Sequence, residues 1–212
     1  MAEVRPPRLH VVTDDGVLAR PDFPLRAREV LERGGAAVAL HLRGPRTDGA
    51  PTFALAKALA PHARASGSLL LVNDRVDVAL AAGAHGVHLG RRSLLPADAR
   101  RLLPAGAVVG CSAATRAEAE AAGAGGADFL LVGHVYPTPS HPGEPAVGPG
   151  RIREVAGAGV RVAAIGGITP ARVAEVRAAG ARGVAAIRAV WDAEDPAEAV
   201  ARFLEAWKDE FD

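Results

Sequence analysis

One phrase recurs along the chain: a helix-like segment, a Gly-Ala junction, then a short apolar run. It appears as ERGGAAVALHLR (32–43), LAAGAHGVHLG (80–90), AGAGGADFLLVGH (122–134) and AAGARGVAAIRAV (178–190). Glycine at such a junction stops a helix in a left-handed cap, and the residues after it begin a strand. The apolar runs are continuous rather than alternating, which is the pattern of strands buried on both faces of a parallel sheet. Reading between the repeats predicts eight strands, at about 8–13, 37–42, 68–73, 86–89, 107–111, 128–133, 161–165 and 183–187. Helices are expected between them, the weakest near 97–103, with a last one at about 195–208. Pro24, Pro96 and Pro170 fall where first helical turns begin, and Thr115 with Glu118 fits a capping box.

Strand–helix alternation repeated eight times in 212 residues with no Gly-, Ser- or Pro-rich divider predicts a single (β/α)8 TIM barrel over 1–212. The alternative is an open doubly wound sheet, but VVTDDGVLARPDF lacks the GxGxxG loop expected after its first strand.

Composition narrows the function classes. Apolar residues make up 49% and the net charge is +1, with acids interspersed among the arginines, so neither nucleic acid nor an anionic membrane is an expected partner. The single cysteine, Cys111, excludes an internal disulfide framework. No run approaches a membrane span or a signal peptide, and a cytoplasmic location is expected. The seven histidines lack metal-ligand spacing, so no zinc site is expected.

In a barrel, chemistry collects where strands end. Those ends carry Thr13, Asp14 and Asp15; His41 and Arg43; Asn73 and Asp74; His88; Cys111 and Ser112; Gly133 and His134; Gly166 and Gly167; Ile187 and Arg188. Gly166 and Gly167 precede a helix start. Together with the N–H of Ile187 and the side chain of Arg188 they form a candidate phosphate site, or else simply allow a tight turn. Arg43 suits a carboxylate or second phosphate, or a surface ion pair. His41 and Asn73 are candidate ligand contacts. Ser112 is a candidate hydrogen bond to a substrate oxygen. His10 reads as barrel-floor packing, His88 as an internal hydrogen bond, His62 and His85 as surface residues, and His141 as part of a lid or spacer loop over 136–148.

VVTDD, LHLR, NDRVDVALAAGAHGVHLG, VGCSAATRAEAEAAGAGGADFLLVGHVY and AAIGGITPARVAEVRAAGARGVAAI resemble the thiamin phosphate synthase superfamily along nearly the whole chain. One branch joins a pyrimidine diphosphate to a thiazole phosphate with magnesium. The other, the TenI-type tautomerases, aromatises the thiazole precursor. Synthases usually read QLR-x-K after strand two, where this chain has His41-Leu42-Arg43-Gly44-Pro45. They carry an Asp after VHLG, near Ser93 here. After strand six they read G-P-V-F-x-T-x-T-K, where this chain has Gly133-His134-Val135-Tyr136 and no lysine. These departures resemble the tautomerase branch, whose strand-six motif is G-H-V-F.

That resemblance implies an isomerase of thiamin biosynthesis. His134 would be the catalytic base, moving one proton on a carboxythiazole ylidene ethyl phosphate whose anionic tail is anchored opposite it in the last two loops. It implies no cofactor and leaves a homodimer open. The alternative is the synthase, for which magnesium would be needed. A non-catalytic thiazole phosphate sensor and another phosphate-barrel isomerase also remain open.

Overall fold

The computed structural model describes residues 7–140 and 143–208. Eight strands, β1 Leu9–Val12, β2 Val38–Leu42, β3 Leu69–Asn73, β4 Gly86–Leu89, β5 Val108–Ser112, β6 Phe129–Val132, β7 Arg161–Ile165 and β8 Gly183–Ala186, follow one another in sequence order. All neighbours are parallel, and β8 pairs with β1 to close the barrel. The (β/α)8 reading therefore stands and the open sheet does not.

The helices are α1 Asp15–Leu18, α2 Phe23–Gly34, α3 Gly49–Ser66, α4 Val76–Ala82, α5 Pro96–Leu102, α6 Arg116–Ala124, α7 Gly148–Ala156, α8 Val173–Ala178, α9 Arg188–Trp191 and α10 Pro196–Trp207. Capping works as the sequence suggests. Thr115 accepts from Glu118 N at 3.2 Å, and the Glu118 carboxylate returns to Ala114 N at 2.6 Å. Asp195 starts α10 by accepting from Glu198 N at 3.0 Å, with Pro196 in its first turn. α1 and α9 were not expected. Each is a single turn, in the loops after β1 and β8, and one turn is too short to show a period. α9 packs through Trp191, whose ring lies 5.3 Å from that of Phe23 in α2 and whose Nε1–H donates to Val12 O at 2.9 Å.

Period-two alternation sorts each strand. Leu9, Val11, Val38, Leu40, Leu42, Leu70, Val72, Leu130, Val132 and Val184 join the layer beneath the helices. Val12, Ala39, Leu69, Leu71, Phe129, Leu131, Ala163 and Ala185 form a separate cluster inside the barrel. Three imidazoles share that interior. His10 Nδ1 lies 2.9 Å from His41 Nε2, the His41 and His88 rings are 5.5 Å apart, and Phe129 is in ring contact with all three. Gly110 makes room for Phe129, since a Cβ there would lie 2.1 Å from its ring. His85, expected at the surface, is half-buried instead. Its Nδ1 accepts from Leu70 N at 3.0 Å and stitches the start of β3 to the turn before β4.

Burial holds the three interior histidines neutral. His41 falls from its ordinary 6.5 to about 3, burial outweighing a small opposing pull from Asn73. His10 and His88 are likewise pushed well down, first by burial and then by the charge of His41. The unfolded chain binds protons near 6.5 that the folded chain refuses, so stability is full above that pH and falls as pH drops towards 3. Each histidine contributes a slope of about 1.4 kcal/mol per pH unit in that window. Urea unfolding at pH 7.5 and 5.5 is expected to show a marked loss at the lower pH. His10→Leu should flatten the slope by about one proton even if it lowers stability at pH 7.5.

Candidate active site

At the C-terminal rim, Thr13 ties β1 to β2. Its Oγ1 accepts from Arg43 N at 2.8 Å and donates to the Arg43 carbonyl at 2.9 Å. This fixes the Arg43 backbone at the mouth of the barrel. The Arg43 charge reaches His88 and helps hold it neutral, and no carboxylate pairs with the guanidinium among the described residues. His88 Nε2 meets Ser112 Oγ at 3.1 Å, so Ser112 stands between the buried imidazoles and the rim. His41 does not reach the rim. It is fully buried one step below, beside Asn73. His41 Nδ1, His88 Nδ1 and Asn73 Oδ1 are buried with no hydrogen-bond partner among the described residues.

His134 follows β6 on a chain that continues alongside β7. Val135 N donates to Ile165 O at 2.9 Å and Tyr136 N to Gly166 O at 3.0 Å. A Cβ on Gly166 would lie 2.4 Å from His134 Cβ, and Gly166 and Gly167 have φ of +98° and +63°. Glycine is therefore required here for both backbone conformation and close approach. The imidazole-bearing loop and the candidate phosphate loop are in contact. This corrects the expectation that the anion would be anchored opposite His134: the Cβ-free backbone brings the two loops together. The N–H groups of Gly167 and Arg188 are taken by no backbone acceptor among the described residues, and the Arg188 side chain is exposed at the start of α9.

Sequence reasoning missed the brace behind this loop. Arg172 donates to Gly167 O and lies 4.2 Å over the Tyr136 ring, and Tyr136 Oη donates to Glu175 at 2.6 Å. Burial, then the Glu175 carboxylate, pushes the Tyr136 phenol up to about 12, so it stays protonated. The only available signal was Arg172 two residues after Pro170. Cys111 faces the helices, and burial raises its thiol to about 11. Arg75 and Asp77 pair at the surface at 2.6 Å, which occupies both. His141 lies outside the described residues.

Magnesium is the ion that diphosphate chemistry in this superfamily implies. In the loops after β3 and β4 the described residues offer Asp74, which accepts from Gly90 N at 2.7 Å, while Asp14 and Asp15 after β1 are engaged with Val17 N and with Arg46 and Thr47. No group of three or more His, Cys, Asp or Glu is placed to hold a metal among the described residues, and Ser93 stands where a second carboxylate would be needed. The donor set does not fit a protein-built magnesium site.

A parallel eight-stranded barrel with bare N–H groups and unpaired arginines at its C-terminal rim has the architecture in which barrel enzymes commonly hold a phosphate. More narrowly, the chain belongs to the thiamine monophosphate synthase family, which it matches over residues 9–190. It is 42% identical to the thiamine-phosphate synthase of Salinispora arenicola, over 94% of this chain and 96% of that one. It is 52% identical over 145 residues to the thiamine biosynthesis bifunctional protein ThiM/ThiE of Symbiobacterium thermophilum, of whose length the match spans 30%. The solved thiamine phosphate pyrophosphorylase of Pyrococcus furiosus superposes with a TM-score of 0.80 at 32% identity, covering 94% of each chain.

These relatives overturn the tautomerase reading. That reading weighed departures at three loops above the rest of the chain. Likeness over nearly the whole length is to proteins named as synthases, and individual ligand positions are weaker evidence of branch than the full chain.

Gly166→Ala is expected to weaken inorganic phosphate binding by about ten-fold or more, because the added Cβ meets His134 and the backbone leaves φ +98°. Isothermal titration with phosphate reads this, and unchanged affinity would remove the loop from the site.

Proposed function

We propose that the protein is a thiamine-phosphate synthase, joining a pyrimidine diphosphate to a thiazole phosphate and releasing pyrophosphate. The observation that carries the reading is whole-length likeness to synthases; it is supported by a rim with two places suited to anions, Arg43 and the Gly166–Gly167 and Arg188 loops. A reaction between two phosphorylated rings needs two such places.

The thiazole's phosphate is assigned to the N–H groups of Gly167 and Arg188. They supply partial positive charge without side-chain entropy. Arg43 faces the diphosphate with a planar fork suited to its oxygens, and Asn73 adds an amide donor beside it. The new bond forms between the thiazole nitrogen and the pyrimidine's exocyclic methylene carbon. The carbon–oxygen bond to diphosphate breaks, and its electron pair leaves with pyrophosphate. Stabilising that departing charge is the main work of the site. His134, beside the phosphate loop, is assigned as a hydrogen-bond donor to an anionic oxygen. Ser112, held by His88, is placed to donate to a ring substituent. The donor set at Asp74 supports no protein-built metal site.

A continuous pyrophosphate-release assay with both heterocycles tests the reading. Release is expected only when both are present, with thiamin phosphate formed in equal amount. Arg43→Ala is expected to lower kcat/KM by about 10²-fold. No pyrophosphate from the wild-type chain in magnesium-containing buffer would overturn the proposal.

A further inference from the structure

The barrel has a second opening, at the end away from the rim. A cavity of about 440 Å³ lies at the N-terminal ends of the strands, between Pro7, Leu69, Val108, Phe129, Ala163 and Gly183. Its volume is within the usual range for small-molecule pockets, about 300–1,000 Å³. Barrel interiors are normally filled by branched side chains. This floor stays open because small residues occupy inward positions: Ala163 sits in register with Gly183. The walls are mainly apolar, and the Phe129 ring supplies a flat surface.

Three arginines, Arg100, Arg161 and Arg182, border the cavity, and they are not equivalent. Arg100 is spent. It donates to Asp128 at 2.6 Å and to Gly126 O at 2.9 Å, and Asp128 is shared with Val109 N at 2.7 Å. Arg161 and Arg182 are exposed at the mouth and have no acidic partner among the described residues. Each feels the other: the charge of Arg182 adds to burial in lowering the basicity of Arg161. Two like charges at one mouth repel, and a bridging anion turns that repulsion into attraction. Deeper in, His10 also lines the cavity. Its Nδ1 is engaged with His41 at 2.9 Å, while its Nε2 makes no hydrogen bond among the described residues.

We propose that this floor cavity is a second ligand site, separate from the rim, for a small organic anion. The ligand has a phosphate or carboxylate held by Arg161 and Arg182 and a flat apolar body lying against Phe129 and Leu69. The guanidinium forks match either head group. The apolar walls give the ring its contact, and His10 Nε2 is the polar group at the inner end. The proposal does not depend on the synthase reading, because no residue of the rim takes part.

The test is methyl NMR with phenyl phosphate as probe, reading Leu69 and Val108 at the floor and Ile165 and Ile187 at the rim. The floor methyls are expected to shift in a saturable way. Inorganic phosphate, which lacks the ring, should shift them at about ten-fold higher concentration or not at all. The double variant Arg161→Gln, Arg182→Gln should weaken the floor response by about ten-fold or more while leaving the rim response to phosphate unchanged. Both arginines are exposed, so the variant is expected to fold, and the unchanged rim shifts verify that it has. Floor methyls that stay still at saturating rim occupancy would overturn the site. So would a floor response that is the same in the double variant.

Discussion

A closed parallel barrel must fill its own interior, and this chain fills it with imidazoles. Branched aliphatic side chains would pack the same space at no polar cost. Here His10, His41 and His88 run through the interior around Phe129, with two nitrogens, His41 Nδ1 and His88 Nδ1, lacking a hydrogen-bond partner among the described residues. Each such group costs about 1–3 kcal/mol. What this arrangement provides is reach from end to end. His10 opens on the floor cavity, His41 lies beside Asn73, and His88 holds Ser112 at the rim. One of the rings that complete the core, His88, therefore also holds a rim side chain, Ser112.

The outline of this fold was legible because strand burial and helix stops are local signals. Gly67, Gly83 and Gly180 carry the positive φ expected of glycines that end helices, and all eight strands fall within one residue of the expected bounds. What was not legible depends on contacts between distant segments. Nothing local distinguishes His85, which receives an N–H from Leu70, from an exposed histidine. His41 ends a strand, as rim residues do, yet faces the interior one step too deep. The contact of His134 with Gly166 needed the register of β6 and β7, since the missing Cβ atoms matter only once the two loops are adjacent. The functional branch was misread for a related reason. His41, Ser93 and His134 are single substitutions, whereas the charge a reaction needs is a property of the whole rim.

That rim carries its positive charge in a distributed form. A chain with one carboxylate at the metal position cannot concentrate charge on a cation of its own making, so the remaining sources are arginines and oriented N–H groups. Arg172 is spent on buttressing. By donating to Gly167 O and stacking on Tyr136 it braces the loop that carries Gly167. In the proposed reaction, rigid placement of these donors would matter because oriented dipoles need no reorganisation when charge develops.

The two ends of the barrel are electrically joined through the neutral column between them. Arg43 at the rim lowers the basicity of His88, and Arg161 at the floor lowers that of His10. Each end therefore helps keep the interior uncharged, in addition to burial. An anion held by either arginine cancels part of that field and makes the nearest imidazole easier to protonate. By linkage, protonating that imidazole must then favour the anion by the same free energy. Burial and the nearest arginine thus act together on each end ring, His88 at the rim and His10 at the floor.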